Sequence, residues 1–285
     1  MFNPMKSKRI LTNVVVCLTV MIFHGCTTFR APELRDGETA TQCLANISEK
    51  NDLLVSCKGI AKVSTHGFGF TLNERIAFIS QKTHQLRAEM LSPFGAIGSP
   101  FQLICTPKKL FLKSHFLKKP FYTRPDSYFL KKALPIKIQT QELILFLHGQ
   151  LPILPGMHAK FDRLSKNKTL LLTKGLFKKT RQRIIFDGSE KHVRSFEKYN
   201  HFNELLYRLT FDRYQNYNIF SVPSKMTISN DANQCVTFDI QSYYPNCAIK
   251  KNPFLITIPE HTEKGEVSCV TSWIFKPIQA LLNIF

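Results

Sequence analysis

Short stretches in which apolar and polar side chains alternate residue by residue recur along this chain, and they constrain its fold more than any other feature. In residues 85–91, Leu86, Ala88 and Met90 face one way and Arg87 and Glu89 the other. Residues 204–212 set Leu205, Tyr207, Leu209 and Phe211 against Glu204, Arg208, Thr210 and Asp212, with Leu206 breaking the polar face. Residues 235–241 oppose Val236, Phe238 and Ile240 to Thr237, Asp239 and Gln241. A period of two is that of a strand with one buried face. Further strands are expected at 53–65, 73–80, 100–106, 110–115, 170–173, 182–186, 192–198, 223–229 and 254–258. Asp187-Gly188 and Ser229-Asn-Asp-Ala-Asn233 supply turn chemistry between them. Strands at this spacing predict one antiparallel sheet, curled or closed, in a mainly β (α+β) fold.

Two segments read as helices. Residues 38–50 place Cys43, Leu44 and Ile47 on one face. From Thr140, a potential cap, Leu143, Ile144, Phe146 and Leu147 form an apolar stripe that Gly149 should end. His148 reads as a helix-surface or partly buried residue rather than a catalytic base. Residues 116–137 are basic, contain proline and have no clear period, so they read as a long loop; residues 151–156 read as a chain break.

The N-terminus carries a different signal. Lys6, Lys8 and Arg9 precede an apolar stretch, residues 10–23, then His24, Gly25 and Cys26. The stretch suits a signal-peptide core and is short for a membrane span. The order resembles a bacterial lipoprotein signal, in which Cys26 would be the first mature residue and the lipidation site. Phe23 and His24 depart from the usual Leu and small residue, so an ordinary signal peptide or an uncleaved anchor stays open. Thr27 after the cysteine, where Asp would retain a lipoprotein at the inner membrane, implies the outer membrane, facing the periplasm. The chain then divides into a signal peptide 1–25, a tether 26–37, a domain 38–258 and an apolar tail 259–285. The tail, with Trp273, Phe275, Leu281 and Phe285, suits either packing on its own domain or a membrane interface.

The formal net charge is +19, which favours anionic partners. In an envelope compartment these are lipid headgroups rather than nucleic acid, although scattered lysine pairs fit a solvated surface equally well. Cys43, Cys57, Cys105, Cys235, Cys247 and Cys269 follow Cys26. They suit disulfides, Cys235 with Cys247 among the options, or buried thiols. No spacing suggests a metal site, and GxSxG, HExxH, P-loop and GxGxxG motifs are missing from the sequence. No catalytic residue or cofactor is expected, and binding is favoured over an enzyme.

Several segments, in order, resemble the outer-membrane lipoprotein receptor family LolB. Gln85-Leu-Arg-Ala-Glu-Met-Leu-Ser-Pro-Phe-Gly95 resembles its strand and Asn-Pro-Leu-Gly-like loop. Gln141-Glu-Leu-Ile-Leu-Phe-Leu-His-Gly-Gln-Leu-Pro152 resembles its helix ending in Leu-Gly-Leu-Pro. Leu206-Tyr-Arg-Leu-Thr-Phe-Asp-Arg-Tyr214, Val222-Pro-Ser-Lys-Met-Thr-Ile228 and Thr237-Phe-Asp-Ile240 resemble its closing strands. The resemblance implies an open, curled antiparallel half-barrel with helices covering its mouth. It implies a monomer that accepts acylated lipoproteins from a periplasmic carrier and helps place them among outer-membrane lipids. It makes Pro93, Phe94 and Gly95 a membrane-insertion loop. An acyl pocket is then expected from Leu86, Met90, Leu143, Phe146, Leu147, Leu209, Phe211 and Phe238. The alternative is a structural or interaction lipoprotein of the same fold without transfer activity.

Overall fold

The computed structural model describes residues 39–67, 73–81, 85–91, 101–114, 120–125, 136–175, 179–187, 192–217, 220–249, 252–256 and 263–264. Cys26, Pro93, Phe94 and Gly95 lie outside them, as do Cys269 and residues 265–285.

Helix α1 (Ala40–Leu53) begins where Thr39 and Gln42 form a reciprocal capping box. Each side chain bonds the other's backbone N–H, which satisfies two groups a helix start leaves open. It buries Cys43, with Leu44 and Ile47 packed beside it as the spacing predicts. Six antiparallel strands follow: β1 (Ser56–His66), β2 (Asn73–Gln81), β3 (Gln85–Met90), β4 (Phe101–Cys105), β5 (Leu110–Ser114) and β6 (Phe121–Thr123). Helix α2 (Thr140–Leu147) comes next. A second run comprises β7 (His158–Phe161), β8 (Thr169–Lys174), β9 (Lys179–Phe186), β10 (Val193–Tyr199), β11 (Leu205–Tyr217), β12 (Phe220–Ser229) and β13 (Cys235–Pro245), and β14 (Glu263–Lys264) ends the series.

Among the described residues these form one fourteen-stranded sheet, ordered β14-β6-β5-β4-β3-β2-β1-β13-β12-β11-β10-β9-β8-β7. Every pairing is antiparallel except β14 on β6. The two runs are thus meanders joined where β1 pairs with β13, and the outer strands β14 and β7 leave the curled sheet open. The join is irregular, with the register shifting between Ile60 and Ala61. A Cβ on Gly59 would lie 2.4 Å from the Ser242 carbonyl oxygen and 2.8 Å from Phe78 Cζ. Only glycine lets the two backbones come this close.

The expected alternation sets the buried face throughout. On β3, Leu86 and Ala88 turn inward, at 1% and 8% exposed. The inner side chains of both meanders and α2 share one apolar core. A smaller cluster of Ile104, Phe111 and Phe254 lies on the opposite face.

Several expectations are corrected. Residues 116–137 are not all loop, because β6 pairs with β5 there and buries Phe121; three residues are too few to show a period. Strand β7 was not anticipated, since His158 and Lys160 interrupt its apolar character. Phe254 sits in a turn, not a strand, and its ring covers the outer cluster rather than continuing the ladder. Strand β11 runs to Tyr217, past Asp212, because Arg213 adopts a φ of 53° and the chain bends without leaving the sheet. The α2 cap is Gln139, not Thr140. Cys57, Cys105, Cys235 and Cys247 are free thiols, so Cys235 and Cys247 are not paired. Cys235 opens β13 and Cys247 follows its far end, and a strand's length separates them. Glu263–Lys264, within the segment read as a tail, belongs to the sheet.

Candidate functional site

The inner face of the curled sheet is the candidate site, and α2 fills it. Glu142 at the third helical position reaches back to the Gln139 N–H (3.0 Å), which starts the helix. Its end is a Schellman motif: Gly149 N donates to Phe146 O at 2.8 Å and Gln150 N to Leu145 O at 2.9 Å. Gly149 holds the left-handed φ of 68° that this stop requires. Between these ends the apolar stripe turns into the sheet. The Phe146 ring meets Tyr207 edge-on at 5.8 Å and Phe196 at 6.4 Å, a favoured aromatic geometry.

Seven of the eight residues expected to line a pocket come together here. Leu86, Leu143, Phe146, Leu147, Leu209, Phe211 and Phe238 are all buried within one cluster. Met90 is half-buried at the end of β3, opposite Ile76. In this closed arrangement they pack on one another and on α2. Cavities of about 360, 460 and 240 Å³ lie elsewhere, lined by residues such as Ile60 and Tyr244, Cys247 and Pro253, and Phe111 and Leu255.

Polar side chains that the sequence reading missed fix α2 and its flanks. Lys198 Nζ lies 2.5 Å from Glu142 Oε1, with the two side chains only 13% and 6% exposed. Burial, then the neighbouring Glu142 carboxylate, keep the Tyr207 phenol well above its usual range. His148 is buried, contrary to expectation, because it caps α2 against the sheet with Nε2 2.8 Å from Ser80 Oγ. Ser80 in turn donates to the Gln85 carbonyl at 3.0 Å. With Ser80 0% and His148 1% exposed, this serine–histidine pair has no open approach for a substrate. The Cys57 thiol, pushed up to about 12 by burial, stays protonated and donates to Leu147 O at 3.8 Å. Gln182 Nε2 donates to Pro152 O at 2.7 Å, holding the connection after α2 over the inner face. Gln150 Nε2 donates to Leu54 O at 2.8 Å and ties that connection to the end of α1. Gln182 could have been found as a polar residue on the face of β9 that carries Ile184 and Phe186. Glu142 could have been found as an acid beside the apolar stripe of α2. Nothing local in the sequence marks Lys198 as its partner.

Among the described residues no group of three or more His, Cys, Asp or Glu could hold a metal ion. None of the described helices is long and apolar enough to cross a membrane.

This arrangement defines a class of fold: a broad antiparallel sheet curled around an apolar inner face, with a helix packed into it. Known structures share it. A LolA superfamily protein from Nitrosomonas europaea matches with a TM-score of 0.50 at 12% identity, over 75% of this chain and 96% of that one. A DUF1329 family protein from Desulfovibrio piger matches with a TM-score of 0.54 at 9% identity, over 76% of this chain and 98% of that one. The fold is therefore LolA-like. No protein-family model matches the sequence, and no curated protein matches it.

Proposed function

We propose that this chain is a LolB-type lipoprotein of the outer membrane, anchored through Cys26 and facing the periplasm. In this reading it binds the acyl chains of other lipoproteins on its inner face, takes them from a periplasmic carrier and helps place them in the outer membrane. The observation that carries the reading is the LolA-like curled sheet with an apolar inner face plugged by one short, separately capped helix. It acts as a monomeric binding protein, without catalysis or cofactor. Leu86, Met90, Leu143, Phe146, Leu147, Leu209, Phe211 and Phe238 line the acyl site, the helices cover its mouth, and Phe94 between Pro93 and Gly95 enters the membrane.

Magnitudes make the exchange reasonable. Burial of an acyl chain of about fifteen methylenes contributes roughly 12 kcal/mol, at about 0.8 kcal/mol each. Withdrawing Leu143, Ile144, Phe146 and Leu147 of α2 costs about 1.5–3 kcal/mol per side chain, roughly 6–12 kcal/mol in all. An acyl chain that lifts α2 off the sheet, leaving the helix as its cover, thus binds with a modest net gain, and the lipid can leave again for a bilayer.

The filled inner face favours a second reading, a structural or interaction lipoprotein whose α2 never moves. Capture of an acylated lipoprotein by the soluble chain from Thr27 onward separates the two. Capture that requires the acyl groups is expected; equal or no capture of acylated and unacylated forms supports the structural role. Phe94→Glu should keep acyl-dependent capture and lose delivery to vesicles, and unchanged delivery would remove Phe94 from the mechanism.

A further inference from the structure

We infer that Lys198 and Tyr207, side by side on the inner face, form a headgroup subsite for an acyl lipid that carries an anionic group, a carboxylate or a phosphate. Glu142 of α2 holds this subsite until such a lipid lifts the helix. The inference rests on the reading above that α2 gives way to acyl chains, and it adds which lipids that exchange favours.

The subsite lies on neighbouring strands. Lys198 of β10 and Tyr207 of β11 are direct cross-strand partners, and Gln182 of β9 pairs with Lys198 on its other side. These three make a polar row. The adjacent inward row is Ile184, Phe196, Leu209 and Ile228, each at most 2% exposed. Beyond it lie the buried Phe211, Met226 and Phe238. A polar head followed by methylenes is the layout of an acyl lipid. Within the polar row Gln182 is already engaged, donating to Pro152 O at 2.7 Å and accepting from Leu154 N at 3.3 Å. Lys198 and Tyr207 remain to meet a ligand.

The helix imitates such a lipid. Glu142 Oε1 lies 2.5 Å from Lys198 Nζ, and one turn later the Phe146 ring packs on Phe196 and Tyr207. The imitation is incomplete. Glu142 Oε2 is committed to the helix cap, where it accepts from the Gln139 N–H at 3.0 Å. The Tyr207 hydroxyl, 0% exposed, reaches no hydrogen-bond partner, although burial and then the nearby carboxylate hold its proton in place. A buried phenol ordinarily finds an acceptor. The oxygens of a ligand carboxylate or phosphate cap no helix, so one can face Lys198 while another accepts from Tyr207. Charge selects the same class. When α2 lifts, Glu142 leaves with it and Lys198 stays on the apolar face. A charge buried without a partner is strongly disfavoured. A neutral alcohol or ester does not balance it; an anionic head does, through charge-assisted hydrogen bonds.

The test measures dissociation constants of the full chain for two matched pairs of soluble lipids, dodecanoate against dodecanol and dioctanoyl phosphatidate against dioctanoylglycerol. The anionic member is expected to bind at least about tenfold more tightly, as a charged hydrogen-bonded contact implies. Preference in the first pair alone marks a fatty-acid carboxylate as the ligand, and in the second alone a phospholipid phosphate. Glu142→Gln, which releases Lys198, should bind the preferred anion several-fold more tightly than the wild type. The double variant Glu142→Gln/Lys198→Met strands no charge, and urea unfolding checks that it folds; its preference for the anion should vanish. Equal binding within both pairs, or a preference that survives in the double variant, would overturn the inference. If acyl-dependent lipoprotein capture still occurs in that case, only the headgroup subsite fails. Failure to bind any of the four lipids, with no acyl-dependent capture, overturns the acyl-binding reading and the subsite with it.

Discussion

Lys198 Nζ lies 2.5 Å from Glu142 Oε1 in the interior, joining β10 to the first turn of α2. The pair stands where the helix enters the apolar face and ties the start of α2 to the sheet. Charges this poorly solvated hold only while both partners are present. Lys198→Met, which strands the Glu142 carboxylate, should cost about 3–5 kcal/mol of stability. The double variant Glu142→Gln/Lys198→Met should recover much of that loss. Urea unfolding of the single and double variants checks both statements; a double variant no better than the single one would show that the loss is packing, not charge.

Phe146 separates a pocket plug from a fixed core. Phe146→Ala should cost about 3–5 kcal/mol through the lost ring and the cavity left behind. If α2 gives way to acyl chains, the vacated space should also strengthen binding of a fatty-acid probe. Stabilisation by such a probe, read as a larger thermal shift than in the wild type, is the expected outcome. A variant that is only weaker, with no gain in probe response, argues for a permanent core.

Gly149 stops α2 at positive φ, and a Cβ there would lie 3.1 Å from both Val222 Cγ1 and Pro223 Cδ. Gly149→Ala should destabilise by about 1–3 kcal/mol through strain at that φ. Ala at Gly156, also at positive φ but with nothing within 4 Å of its Cβ, meets the backbone strain alone. The larger loss at Gly149 in paired denaturation curves is the check.

High pH should unfold this protein. Burial raises the Cys57 and Cys105 thiols from 9.0 to about 12. Burial, followed by Glu197, raises the Tyr199 phenol from 10.0 to about 12. These groups hold their protons more tightly folded than unfolded. Their contribution is complete below the unfolded value near 9 and is lost as pH climbs through the folded values near 12. Urea midpoints should be flat from neutrality to about pH 9 and fall steadily above it. A midpoint unchanged up to the folded values would contradict the burial.

The same thiols give a chemical test. Buried and protonated, Cys57 and Cys105 should resist alkylation in the native state, while half-buried Cys235 and Cys247 react first. In urea without reductant Cys57, Cys105, Cys235 and Cys247 should all label, as free thiols do; mass spectrometry reads the modified positions.

Much of the sheet was legible before any coordinates, for a local reason. Whether a strand shows one face to water is written in every second residue, as in Leu86-Arg87-Ala88-Glu89, and needs no distant partner. The helix stop at Gly149 and the turn at 229–233 are equally local, because φ and side-chain-to-backbone bonds decide them. Short or irregular pieces were not legible: β6 has three residues, and β11 continues past a residue at positive φ. The residues expected to line a pocket were picked because they are apolar and periodic, which describes a packed core equally well. The polar set around α2 was missed because each member has meaning only beside its partner.

By itself, then, the sequence determined a mainly antiparallel sheet, its buried faces and the limits of α2, since these follow from near-neighbour sterics and burial of one face. Tertiary structure decided what no local pattern contains. It paired β1 with β13 across the length of the chain, which only glycine at 59 permits. It placed α2 inside the curl and set Lys198 against Glu142. Each depends on which strands lie side by side, and that is settled by burial summed over the whole inner face rather than by any one segment.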